Sequence, residues 1–154
     1  MAKTEISRII EQFKFAYEGP AWHGPAILEI ISKISLKDAT KQLGESHNIA
    51  ETVYHMIAWR LYLIKHLQGD PIYDVDDEDN FTKMNTLSEK EWEALKSNLD
   101  KSQKELSDLL ALQTDELLSK KVENRKFNYY KLIHGVIQHD LYHLGQIKLL
   151  INYA

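Results

Sequence analysis

Hydrophobic residues recur at intervals of three and four along four long stretches of the chain, and this pattern is typical of helices that bury one face. The first stretch covers residues 4–17 and ends at Gly19-Pro20. The second runs from an N-cap at Asn48 to about residue 68. The third begins at a capping box of Ser88 and Glu91, and the fourth covers about residues 129–152.

Two connections carry signals of their own. Pro25 can open a short helix, because its missing N–H is unpaired at the first helical position anyway, and apolar residues continue to Ile34. Residues 70–87 contain the acidic run DVDDEDN, which could suggest a calcium-binding loop. An EF-hand loop that begins at Asp74 requires Gly at position 79 and Glu at position 85, but this chain has Asp and Asn there. We therefore expect a solvated surface loop there.

The whole pattern predicts an all-α fold, a four-helix bundle with a short extra helix between the first and second long helices, as one domain over residues 1–154.

Composition limits the chemistry. The chain has 154 residues and no Cys, which excludes a thiol nucleophile, a disulfide pair and every Cys-ligated metal site. Any metal must therefore bind to His, Asp or Glu. The net charge is −4 and the basic residues do not cluster, so we expect no nucleic-acid partner. The sequence shows no signal peptide and no apolar run of membrane-spanning length, so we expect a cytoplasmic protein without a membrane partner.

Histidines on two of the predicted helices are candidate metal ligands. His139 and His143 are four residues apart and share one helix face, at a separation that lets two imidazoles hold one ion. His55 lies on the apolar side of the second helix. His66 is about 16 Å further along that helix, and His134 points away from the pair, so neither should join them. From the spacing alone, a metal site and a set of hydrogen-bonded core histidines are both open.

Three segments together resemble the DinB-like (YfiT-like) metalloenzyme family. They are HDLYHLGQI at 139–147, NIAETVYHMIAW at 48–59 and AWHGP at 21–25. The resemblance covers nearly the whole chain in the same order. It implies a four-helix bundle, often a homodimer, in which His55, His139 and His143 bind one divalent ion, nickel or zinc, with iron or manganese as alternatives. The family name implies no nucleic-acid role.

The resemblance also implies an activity, because relatives include transferases and isomerases that use a small thiol such as bacillithiol, mycothiol or glutathione. The partners would then be a small-molecule thiol and an electrophile, and the thiol must come from outside a chain without Cys. One alternative is a metal-dependent hydrolase, in which Asp140 stands where the H-E-x-x-H pattern has Glu, although it points about 100° away from His139. Another is a non-catalytic bundle in which the ion only joins two helices.

Several other residues could contribute to a site or to the core. Gln146 shares the face of the ligands, and a hydrogen bond to a ligand and a satisfied core amide are both open. Gly145 suggests the close approach of another helix. Leu141, predicted to face outward, is a weak hint of a homodimer interface. Four aromatic residues are expected to lie in the core, with the wall of a substrate pocket as the alternative: Trp22, His23, Trp59 and Tyr62.

Overall fold

The computed structural model describes residues 3–153, and these residues form helices and connections without a β-strand. In chain order the helices are α1 (Glu5–Tyr17), α2 (Ile27–Ile31), α3 (Leu36–Ala39), α4 (Ile49–Leu67), α5 (Asp77–Asn80), α6 (Glu89–Ala111), α7 (Glu116–Ser119) and α8 (Tyr129–Tyr153). The four long helices α1, α4, α6 and α8 form the bundle, so the all-α prediction is confirmed. Met1, Ala2 and Ala154, which the predicted domain includes, lie outside the described residues.

The long helices begin where local side chains satisfy their first N–H groups. The Asn48 side chain accepts a hydrogen bond from the backbone of Glu51 and starts α4. Ser88 and Glu91 form the predicted capping box at the start of α6. Thr4 accepts from the backbone of Ser7 at the start of α1. These contacts span only three residues, which is why the sequence predicts the helix starts well.

Contacts between the long helices define the topology. Helix α4 packs against α6 and α8, and α1 packs against the same two helices, so α1 and α4 are diagonal to each other. The side chain of Asn48 reaches Asn85 just before α6, and Arg60 reaches Ser102 further along, so α4 and α6 run in parallel. The connection at residues 68–88 must therefore run back along the length of the bundle, from the end of α4 to the start of α6.

Helix α8 runs antiparallel to α4, since Tyr129 at its start reaches the end of α4 and His143 near its end lies beside His55. Two apolar clusters fill the interior. One surrounds Trp92 and Met56 and the other surrounds Leu63 and Leu106. The positions between the two clusters hold buried polar side chains: Arg60, Ser102, Gln103 and Asp140.

The structure corrects several expectations about individual residues. The loop at 70–87 is not simply solvated, because it contains α5 and contacts α4. A Cβ at Gly145 would meet no atom within 4 Å, so no helix among residues 3–153 approaches there. Leu141 is half-buried and packs against both apolar clusters, so it does not face outward. Trp22 and His23 are exposed rather than core residues, since the tight loop turns them into solvent.

The short helix after Pro25 ends earlier than the apolar pattern indicates, at Ile31. Ile34 is buried although it lies beyond the end of the helix, so the apolar residues after Pro25 indicate which positions are buried and not how far the helix extends. None of the described helices is long and apolar enough to cross a membrane.

Candidate metal centre

Three histidine rings from two helices meet at one point of the bundle. The Nε2 atom of His139 lies 2.9 Å from Nε2 of His55 and 3.0 Å from Nε2 of His143. One ligand atom from each residue falls within 4.8 Å of the others. His55 comes from α4 and the other two residues come from successive turns of α8. The three side chains that the spacing and the resemblance single out are therefore brought together.

Hydrogen bonds on the far side of two rings fix which nitrogen carries the proton. Nδ1 of His55 lies 2.8 Å from the backbone carbonyl oxygen of Asn80, and Nδ1 of His143 lies 2.7 Å from Oε1 of Gln146. Because both oxygens only accept, each Nδ1 must donate its N–H. In the neutral rings, the Nε2 atoms of His55 and His143 then carry lone pairs that point into the cluster.

This arrangement suits a cation better than it suits hydrogen bonding. His139 Nε2 faces two lone pairs but can donate only one hydrogen, so the three rings cannot satisfy one another. Three imidazole nitrogens that converge in this way are a donor set that zinc and other divalent transition metals accept. The three histidines thus form a cluster that could hold a metal ion.

Burial keeps the rings in the neutral form that metal binding requires. It lowers the pKa of His139 to about 3, with the two neighbouring histidines and Arg60 adding to the effect. Burial also lowers the pKa of His55 and of His143, although their hydrogen bonds to Asn80 and Gln146 oppose the change. All three imidazoles are therefore uncharged near neutral pH.

The segment around α5 covers the cluster, which the sequence did not predict. The ring of Phe81 stacks between His55 and His47, with centroid distances of 3.9 and 3.7 Å and almost parallel planes. The Asn80 side chain accepts a hydrogen bond from the Trp59 indole N–H, while the backbone oxygen of Asn80 accepts from His55. The only available signal was an aromatic and an amide residue next to an acidic run, which is not specific.

Glu51 fastens this covering segment to the start of α4. It is fully buried and its Oε1 accepts the backbone N–H of Met84, while its Oε2 lies 2.9 Å from Nδ1 of His47. Burial opposes ionisation of Glu51, but these hydrogen bonds and the Lys83 ammonium outweigh it and lower the pKa of the carboxyl. An ionised Glu51 thus holds Met84, which follows the segment that contacts His55, and His47, whose ring stacks on Phe81.

Comparison with known proteins agrees with this geometry. The sequence profile of the DinB superfamily matches residues 22–147, a range that includes all three histidines. The chain belongs to the DinB superfamily. Proteins of the DinB superfamily bind metal, in agreement with the converging rings. No curated protein and no solved structure matches this DinB-superfamily chain significantly.

Asp140 forms a buried ion pair with Arg60. Its Oδ2 accepts from Nε and Nη2 of Arg60 at 2.9 and 2.8 Å, and both side chains are almost fully buried. Burial raises the pKa of Asp140, and the Arg60 guanidinium opposes the rise. Arg60 also donates to Ser102 and packs over the ring of Tyr17. In this DinB-superfamily chain, Asp140 therefore contacts α4 through Arg60, which is not the position of a free general base.

His66 and His134 lie apart from the cluster, whereas His47 reaches it through the ring of Phe81. Nδ1 of His66 donates to the backbone oxygen of Tyr62, and the ring of His134 packs against Tyr130 at 4.3 Å. Gln146 is exposed and hydrogen-bonds His143, so the satisfied core amide is not what the structure shows. Tyr62 is a buried core residue.

Two cavities flank the cluster and share Tyr142 and His143. The first has a volume of about 540 Å³ and its walls are largely apolar, with Trp59, Leu132 and Val136 beside the histidines. The second has a volume of about 500 Å³ and lies on the side of His47, Phe81 and Gln146. Both are within the size range of small-molecule sites. The first cavity touches all three histidines of this DinB-superfamily chain, whereas the second touches His143 alone among them.

Proposed function

We propose that the chain holds one divalent metal ion on the Nε2 atoms of His55, His139 and His143, with nickel or zinc as the expected metals and iron or manganese as alternatives. The observation that carries this proposal is the convergence of three neutral nitrogens, two of which have their protons fixed on the opposite side of the ring. Such second contacts orient ligands and are typical of metal-binding histidines.

We further propose that the protein is a metal-dependent transferase that joins a low-molecular-weight thiol to an electrophile. A divalent ion held by three neutral imidazoles would lower the pKa of a thiol that binds to it. Because the chain has no Cys, that thiol has to be a separate molecule. Room for two reactants is available, because one cavity lies on each side of His143.

The chain's own residues would hold and orient the reactants. The apolar wall at Trp59, Leu132 and Val136 would contact an apolar part of a reactant on one side of the cluster. Asn80 and Gln146 fix the ring planes of His55 and His143, so the three nitrogens keep their directions when a reactant enters. Holding two reactants side by side is itself a large contribution to rate.

The hydrolase alternative has less support, since Asp140 is committed to Arg60. The non-catalytic alternative is the natural outcome of a negative test, because an ion on His55 and His139 would join α4 to α8 in any case.

The test uses the untagged chain loaded with nickel or zinc, a thiol panel (bacillithiol, mycothiol, glutathione and coenzyme A) and 1-chloro-2,4-dinitrobenzene. In the reaction the sulfur forms a bond to the ring carbon, chloride leaves and the thiol proton passes to buffer. We expect a metal-dependent rate that His139→Ala abolishes and His134→Ala retains.

A thiol should also change the absorption spectrum of the nickel-loaded protein. If a varied electrophile panel gives no metal-dependent rate and no thiol perturbs that spectrum, the transferase is rejected in favour of the non-catalytic bundle. Ester or amide hydrolysis without thiol that Asp140→Asn abolishes, in a variant that circular dichroism shows to be folded and that retains its metal, would instead establish the hydrolase.

A further inference from the structure

We propose that the 540 Å³ cavity beside the histidines binds the electrophilic substrate as an apolar molecule that carries a carboxylate, and that Lys131 pairs with this carboxylate. This inference rests on the proposed function, because it assigns the substrate class of the same site.

The walls of the cavity determine the apolar part of the substrate. Trp59, Phe127, Leu132 and Val136 supply aromatic and aliphatic surface, and Gly135 leaves open space between them. A polar or peptide-like ligand would lose its hydration against these walls without gaining hydrogen bonds. An apolar body of small-molecule size is what the walls accommodate.

The polar groups of the lining are mostly engaged already. The ring nitrogens of His55 and His143 point to the cluster or to their fixed partners. The Asn80 side-chain oxygen accepts the Trp59 indole N–H. Lys131 is the remaining charged side chain among the lining residues, so it determines the charge that a ligand can complement there.

Lys131 is uncompensated within the described residues 3–153, where no ion pair or hydrogen bond involves its ammonium group. It lies in the first turn of α8, and this turn contains no acidic residue. A cation is unfavourable at this end of a helix, whereas an anion is favourable. The lysine and the helix terminus therefore both favour an anionic group at the edge of the cavity.

The test compares three probes with the same apolar body: 4-phenylbutyrate, its uncharged amide and 4-phenylbutylamine. Calorimetric titration of the metal-free protein measures their binding without any contribution from an ion. We expect the carboxylate to bind about threefold to fivefold more tightly than the amide, as a partly exposed ion pair provides, and the amine to bind most weakly.

Matched variants locate the effect. Lys131→Met keeps the aliphatic stem and should remove the preference for the carboxylate, whereas Lys148→Met, an exposed lysine on the same helix, should leave it unchanged. Gly135→Phe should weaken all three probes at least tenfold by filling the cavity, because a Cβ there meets no neighbouring atom. Equal binding of carboxylate and amide to the wild-type protein, or probe binding that Gly135→Phe leaves unchanged, would overturn the proposal.

A repeat with the metal-loaded protein separates the two proposals. A carboxylate preference that appears only with metal and survives Lys131→Met would mean that the ion binds the carboxylate, which overturns the role of Lys131 and leaves the metal site intact. A preference that depends on Lys131 in a protein that fails every thiol-transfer assay would support the carboxylate site while the transferase fails.

Discussion

Replacement of Asp140 by Asn tests whether this residue stabilises the fold or performs chemistry. The substitution removes the negative charge but keeps a side chain of the same shape and one acceptor oxygen. Arg60 then remains almost fully buried without its counter-charge, with Ser102 and the backbone oxygen of Leu99 as its other acceptors. We therefore expect a large loss of stability and no loss of metal.

The magnitude follows from the burial of the pair. Removing one partner of a buried ion pair costs about 3–5 kcal/mol, because the other charge is left uncompensated. For a chain of this length each kcal/mol shifts the melting temperature by about 2–4 °C, so the decrease should be roughly 6–20 °C. The oxygen retained by Asn places the expected value in the lower part of this range.

Thermal unfolding followed by circular dichroism measures the shift, with Asp108→Asn, an exposed carboxyl on α6, as the matched control. The control should melt within about 2 °C of the wild type, since exposed substitutions change stability by no more than about 0.5 kcal/mol. Combining Asp140→Leu with Arg60→Met should recover most of the loss, because it removes both charges. A melting temperature of Asp140→Asn equal to that of the control would refute the reasoning.

Three further predictions concern the histidines and the assembly. Gln146→Leu should weaken metal affinity about tenfold to 100-fold, because the His143 ring loses the hydrogen bond that orients it. The control Gln138→Leu, at an exposed position of the same helix, should bind metal as the wild type does. Equal affinities of Gln146→Leu and the wild type in a competition titration would contradict this prediction. Metal-free protein should lose stability as the pH falls from 6.5 towards 5, because His139 can take up a proton in the unfolded chain but not in the folded one. This histidine contributes at most about 2 kcal/mol to the loss. Denaturant titrations at the two pH values measure the loss, which should be smaller for His139→Gln. Sedimentation equilibrium should give twice the chain mass of 18.0 kDa, as expected for the homodimer that the family resemblance implies, and the mass of a single chain at micromolar concentration would contradict it.

Local signals made much of the fold predictable. The N-caps at Asn48 and Ser88 act over three residues, and the periodicity of α8 places His139 and His143 on one face by arithmetic alone. These features depend on near neighbours in the chain, so the sequence carries them directly. The same arithmetic places His55 on the buried face of α4, and the resemblance joins it to the pair, although its place in the cluster depends on the packing of α4 against α8.

The missed features depend on contacts between distant residues. His55 is oriented by the backbone oxygen of Asn80, and a backbone oxygen has no signature in sequence. The acidic composition of residues 70–87 correctly suggests exposure at 76–78, but it hides Phe81, which stacks on His55. Arg60 and Asp140 are 80 residues apart, and each appears alone as an ordinary helical charge. Only the assembled bundle pairs them.

Metal analysis of the untagged protein is the most direct test of the metal centre. Plasma mass spectrometry should find about one divalent ion per chain as purified, and none after His55→Ala, His139→Ala or His143→Ala. His66→Ala and His134→Ala should retain the ion, because their rings lie apart from the cluster. A wild-type protein with no more metal than His139→Ala, even after incubation with nickel or zinc, would contradict the metal centre.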